Sequence, residues 1–189
     1  MDIIEFSKKY YDDLNNVFKK VDLSDLNKFI EVIEKTYEKG NLIYVFGNGG
    51  SAAISNHLLC DFSKGVSTET HLRPRVVSLS SSVELITALF NDESSQEVFR
   101  GQLRNIYRKG DICIAISSSG NSPDIIHAVE YAKSAGSIVL GMSGFSGGKL
   151  KKIADYNIYV PINNYGIVED IHQSFMHIIA QFIKQKNIK

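Results

Sequence analysis

Cysteine is scarce in this sequence. Cys60 and Cys113 are the only two among 189 residues, too few for a disulfide framework and not spaced as a CxxC metal motif. Net charge is also missing. With 21 Lys+Arg against 21 Asp+Glu, the chain lacks the basic footprint of a protein that tracks nucleic acid or coats an anionic membrane. No apolar run approaches the roughly 18 residues that span a bilayer. The N-terminal MDIIEFSKKYYDDL is charged throughout, unlike a signal peptide. A cytoplasmic protein with no nucleic-acid or membrane partner is expected. There is no low-complexity stretch and no Gly-, Ser- or Pro-rich linker, so residues 1–189 are expected to form a single domain.

What is present is ordinary globular material, 43% apolar and 22% charged. Ile4, Phe6, Tyr10, Leu14, Phe18 and Val21 recur at mostly helical steps. Leu26, Phe29, Ile30, Ile33 and Tyr37 repeat the pattern from Ser24, a suitable N-cap, to Gly40. Residues 1–40 therefore predict an αα hairpin. Over 41–189, five apolar runs (42–46, 76–79, 112–116, 138–142 and 156–160) are continuous rather than alternating, as strands covered on both faces must be. Helical segments near 52–63, 82–89, 95–107, 123–135 and 167–186 separate or follow them. The expected fold class is α/β, a three-layer αβα sandwich on a five-stranded parallel sheet.

Three predicted strands end in loops of small residues: VFGNGGSAA, AISSSGNSPD and GMSGFSGGK. In open parallel sheets ligands sit beyond the carboxyl ends of the strands. The first loop (Gly47, Asn48, Gly49, Gly50, Ser51) lacks the Lys-Ser/Thr of a nucleotide P-loop. It fits GxGxxA through Ala52. The acidic residue that would support a dinucleotide site is absent after the second strand, where Leu79, Ser80, Ser81 and Ser82 stand. In the second loop Pro123 suits the first helical position and Ser122 the N-cap. Ser117, Ser118 and Ser119 add hydroxyls to the amides there. A loop so built, without Lys or Arg, suits a phosphorylated small molecule.

Two further patterns carry ligating or acid–base groups. His57 and Asp61 share one helical face at i and i+4, and Glu169, Gln173 and His177 succeed one another at the same spacing on the last helix. Two helices so equipped would suffice for a tetrahedral Zn²⁺ site or for an acid/base pair. His71, His127 and His172 have no comparable arrangement. Cys60 and Cys113 are expected only to pack.

GNGGSAA, FND at residues 90–92, ISSSGNSP, a Gly-Gly loop and the helix EDIHQSFMH together resemble the phosphoheptose isomerases, which are sugar-isomerase (SIS) domain proteins. The resemblance runs over nearly the whole chain. It implies the SIS fold and conversion of sedoheptulose 7-phosphate to glycero-manno-heptose 7-phosphate, an entry to the heptoses of lipopolysaccharide, O-antigen or capsule. It further implies a homotetramer with active sites at subunit interfaces, and one Zn²⁺ per subunit. By the same resemblance Asn48, Gly49, Gly50, Ser51, Asn91 and Asp92 bind substrate. Ser117, Ser118, Ser119 and Ser122 take the phosphate. His57, Asp61, Glu169 and His177 fall on the metal and catalytic positions, with Asp61 as base, Glu169 as second candidate and His177 as partner acid; Asp61 and Glu169 also count as substrate-binding. Two residues depart from the family pattern: Asp61 replaces a glutamate, and Glu169 replaces a glutamine. The alternatives are a non-catalytic SIS adaptor or regulator that binds a sugar phosphate, and an isomerase of another phosphoketose. The length suits one SIS domain without a regulatory appendage, so a neighbouring copy is expected to wall the site.

Overall fold

Five short runs without alternation need cover on both faces, and the computed structural model, which describes residues 2–188, supplies it. The strands are β1 (Leu42–Gly47), β2 (Arg75–Ser78), β3 (Ile112–Ser117), β4 (Ile138–Ser143) and β5 (Tyr156–Tyr159). They form one sheet in the order β2-β1-β3-β4-β5, and every pair is parallel. The helices are α1 (Ile3–Phe18), α2 (Leu26–Glu38), α3 (Gly50–Cys60), α4 (Val83–Asp92), α5 (Glu97–Ile106), α6 (Pro123–Ser134), α7 (Gly148–Ile153) and α8 (Tyr165–Asn187). This is the expected three-layer α/β sandwich.

The strand period of two divides the apolar residues between two cores. Ile43 and Val45 of β1 face a cluster with Phe29 and Ile33 of α2, Leu58 of α3, and Phe175 and Ile179 of α8. Tyr44 and Phe46 face the other side, among Phe99, Leu103, Ala128 and Val129 of α5 and α6. Phe46 and Phe99 stack with ring centroids 5.3 Å apart.

Three local expectations need correction. The first two helices form, but not as a closely packed hairpin: α1 docks on α8, and α2 lies against β1, β5 and α8. Ser24 is not the N-cap of α2. That place belongs to Asp25, whose carboxylate accepts instead from the Asn157 amide of β5 at 2.9 Å, a sheet contact that outweighs local capping. The helix expected over 52–63 stops at Cys60 and continues as a π-helical turn, Asp61–Val66. Such wide turns are rare and recur at functional sites.

At the amino ends of the strands, Asp111 ties three segments together. Its buried carboxylate accepts from the Leu42 amide at 2.8 Å and the Arg108 amide at 3.0 Å, and it lies 3.2 Å from the Tyr44 hydroxyl, whose proton goes to the Ile106 carbonyl at 2.7 Å. Asp111→Ala would strand these donors and should lower unfolding stability by about 3 kcal/mol, with a smaller loss for Asp111→Asn. Urea denaturation followed by circular dichroism measures it, and unchanged midpoints in both variants would refute the role.

Candidate active site

Strand order reverses between β1 and β3, so the connections from their carboxyl ends leave in opposite directions and open a crevice. Gly47 stands opposite Ile116 in the β1–β3 register. The two loops that follow, glycine-rich after β1 and serine-rich after β3, line a pocket of about 270 Å³. Its walls are Asn48, Gly49, Gly50 and Ser51 on one side and Ser117, Ser118, Ser119 and Ser122 on the other, with Tyr165 and Glu169 arriving from α8. No lysine or arginine lines it.

The hydroxyls of the serine loop are not spent on capping α6. Pro123 opens α6 as expected and Ser122 is its N-cap residue, yet the Ser122 side chain makes no capping bond. Its hydroxyl lies 3.2 Å from that of Ser117 instead. The Ser118 hydroxyl is buried beside the Glu169 carboxylate, without a hydrogen bond of ordinary geometry in the chain. A buried unpaired hydroxyl is costly and marks a place for a polar ligand. Together with the free first-turn amides of α3 and α6, these groups make a cradle for an anion.

The third small-residue loop, expected to share the site, props it from behind. Gly144 donates to the Ser118 carbonyl at 2.8 Å, and Leu150 donates to that of Gly120 at 2.9 Å. Gly120 is left-handed (φ +67°) and lies against the Gly147 backbone so closely that no side chain would fit. In the sequence Ser80 stands out only as part of a serine run without an acid. It fixes the first loop, since its hydroxyl accepts from the Gly47 amide at 3.1 Å and donates to the Gly47 carbonyl at 2.8 Å.

Helix α8 buries Val168, Ile171, His172, Phe175 and Met176, which leaves Glu169, Gln173 and His177 on the side facing α3 and the π-helical turn. His57, Asp61 and His177 meet there. Asp61 reaches His177 Nδ1 at 2.7 Å with one carboxylate oxygen and His57 Nε2 at 3.4 Å with the other. The two imidazole centroids are 4.9 Å apart. One ligand atom from each of the three residues falls within 4.8 Å of the others, and two imidazoles with a carboxylate form a donor set suited to zinc. The Gln173 amide nitrogen lies 3.2 Å from His57 Nδ1 and 3.0 Å from His177 Nε2. Its place in the i+4 stripe was visible in the sequence, its contact with both histidines was not.

Glu169 is not brought into this group. It sits two turns earlier on α8, about 12 Å along the axis at the usual rise, and its carboxylate lies over Gly50 in the pocket. Burial raises its pKa, the charge of Asp170 adds to the rise, and the Ser118 hydroxyl opposes it. Asn91 and Asp92 stand elsewhere. They are exposed at the end of α4, Asn91 donates to Asp92 at 2.8 Å, and neither lines the pocket.

Residues 9–144 match the SIS domain family. A phosphoheptose isomerase of Aliarcobacter butzleri is 35% identical over 158 residues, which is 84% of this chain and 83% of that protein. The chain belongs to this family. The Aneurinibacillus thermoaerophilus phosphoheptose isomerase is 38% identical over 160 residues, 84% of this chain and 77% of its own. Among solved structures, the phosphoheptose isomerase of Neisseria gonorrhoeae superposes with a TM-score of 0.88 at 24% identity, covering 97% of this chain and 100% of that one. The Vibrio vulnificus NanR protein complexed with ManNAc-6P shares the fold at a TM-score of 0.70 and 16% identity, covering 98% of this chain and 63% of its own.

A methyl group at Gly50 would overlap the Glu169 carboxylate. Gly50→Ala should therefore displace Glu169 and lower isomerase turnover by about tenfold or more, with a native circular dichroism spectrum. In a Glu169→Gln background the same substitution should cost little more. Full additivity of the two losses would show that Gly50 does not act through Glu169.

Proposed function

We propose that this chain interconverts sedoheptulose 7-phosphate and glycero-manno-heptose 7-phosphate through a cis-enediol. The observation that carries the reading is the Glu169 carboxylate standing in the same small crevice as the cation-free serine cradle. An aldose–ketose isomerase has two tasks, to hold a phosphate at one end of the sugar and to move a proton between C1 and C2 at the other.

The serine loop and the α6 amides hold the phosphate, and the glycine-loop amides with Asn48 orient the hydroxyls beyond it. Both Glu169 and Asp61 were candidates for the base. Asp61 is engaged by His57 and His177 and lies outside the pocket lining, whereas Glu169 lies within it. Glu169 is therefore assigned removal and return of the carbon-bound proton, and burial raises its pKa in the direction that makes a carboxylate the stronger base. His177, like Asp61, lies outside the pocket lining, so it is assigned with His57 and Asp61 to the metal rather than to a proton transfer. His57, Asp61 and His177 would hold a Zn²⁺ ion, with Glu169 free of it. Such an ion, when bound, supplies charge stabilisation at the sugar oxygens.

The unused Asn91–Asp92 pair supports a multimeric enzyme. The helix that ends in it, α4, has no buried residue, and Val83, Leu85 and Phe90 are exposed on it. A second copy covering this helix would bury that surface and bring an Asn-Asp pair to a neighbouring crevice, consistent with the homotetramer expected from the family. No described helix is long and apolar enough to cross a membrane. The phosphorylated substrate suits a cytoplasmic enzyme supplying heptose for lipopolysaccharide, O-antigen or capsule.

The decisive experiment follows sedoheptulose 7-phosphate by NMR with the purified protein. Wild type should form the aldose, and Glu169→Gln should lower kcat by about 100-fold or more with a small change in KM. Full activity in Glu169→Gln would remove the assigned base. Binding of the sugar phosphate without turnover by wild type would favour a regulator. In a separate measurement, His177→Ala should lower zinc affinity by about 100-fold or more in competition with a chromophoric chelator; an unaltered affinity would refute the three-residue metal site.

A further inference from the structure

A cavity larger than the crevice lies at the opposite end of the sheet. It has a volume of about 470 Å³, against 270 Å³ for the pocket at the carboxyl ends, and falls within the range of small-molecule sites. Gly40, Asn41 and Leu42 at the entry to β1, Arg75 at the start of β2, and residues 105–109 with Asp111 before β3 line it.

Its walls are cross-linked. The Asn41 side chain donates to the Gly110 carbonyl at 2.8 Å, joining the two turns at the mouth. Asp111 ties Leu42 to Arg108, and the Tyr44 hydroxyl donates to the Ile106 carbonyl at 2.7 Å, which satisfies the carboxyl end of α5. Arg75 donates to the Gly40 carbonyl at 2.7 Å through one nitrogen. The cavity is thus shaped before any ligand arrives.

Its charge is one-sided. Arg75, Arg108 and Lys109 enter no ion pair among the described residues. The single lining carboxylate, Asp111, is buried and already accepts two main-chain hydrogen bonds. In a chain with no net charge, three unpaired cations around one preformed concavity form a local exception. Guanidinium groups match phosphate oxygens in geometry as well as charge. We propose that this cavity is a second binding site, for a multiply charged phosphorylated small molecule. β1 and β3 both run from this cavity to the crevice loops, so an occupant would touch the roots of the two strands that carry the first site. The inference stands whether or not the crevice isomerises a heptose.

Pyrophosphate is the probe, read by hydrogen-exchange mass spectrometry and calorimetry on the full chain. Saturable protection is expected in peptides covering 38–43 and 105–112, weakening as salt rises. Arg108→Glu with Lys109→Glu should abolish that protection and lower affinity at this site by about tenfold or more, with sugar-phosphate turnover in the absence of probe unchanged. Arg108→Lys with Lys109→Arg, which keeps the charge, should retain protection. Protection confined to residues 47–52 and 117–122, no protection at millimolar pyrophosphate, or wild-type binding by the charge-reversed protein would each overturn the proposal.

Discussion

Everything at the crevice depends on β1 and β3 lying side by side although a strand and three α-helices separate them in sequence. Their pairing places Gly47 level with Ile116, so the glycine loop and the serine loop emerge at the same height. From there the chain turns into α3 on one side of the sheet and toward α6 on the other. The gap between those departures is the pocket. A shift of one residue in this register would exchange Ile43 and Val45 with Tyr44 and Phe46 between two differently composed cores. The packing of both layers therefore fixes the site's position.

Helix α8 links the pocket to the histidine cluster. One side of it is held in the core by Val168, Ile171, Phe175 and Ile179, and the opposite side presents Glu169, Gln173 and His177. The helix sets the axial order of these groups, and the anchoring side sets their direction. Tyr10 of α1 strengthens the mount, with its hydroxyl donating to Asp170 at 2.7 Å. Burial and that carboxylate push the Tyr10 pKa up to about 12, so the phenol keeps its proton at neutral pH and the bond persists. The N-terminal helix acts as a brace for α8 more than as half of a hairpin.

The α/β class, all five strands and both crevice loops were legible because continuous apolar runs and glycine or serine punctuation are local signals. The pairing of His57 and Asp61 was legible for the same reason, and the i+4 stripe on α8 showed which residues would share a side. What a periodic pattern omits is how far two helices slide past each other. That offset brings His177 to Asp61 and leaves Glu169 over Gly50, so four residues read as one set divide into a cluster and a pocket group. Ser24 failed as a cap for a related reason: Asp25 has a sheet amide to satisfy, and no local rule contains Asn157. The π-helical turn at Asp61 has no sequence signature of its own.

The proposed phosphate cradle draws on main-chain amides and short hydroxyls, and this has a consequence for how the fold diversifies. A main-chain amide cannot be removed by exchanging one side chain for another. Substitutions around the crevice can redirect which sugar is accepted, or silence the chemistry, while the grip on a phosphate is inherited intact. Changes of substrate would then fall on side chains such as Glu169, which stand apart from the amides of the proposed cradle.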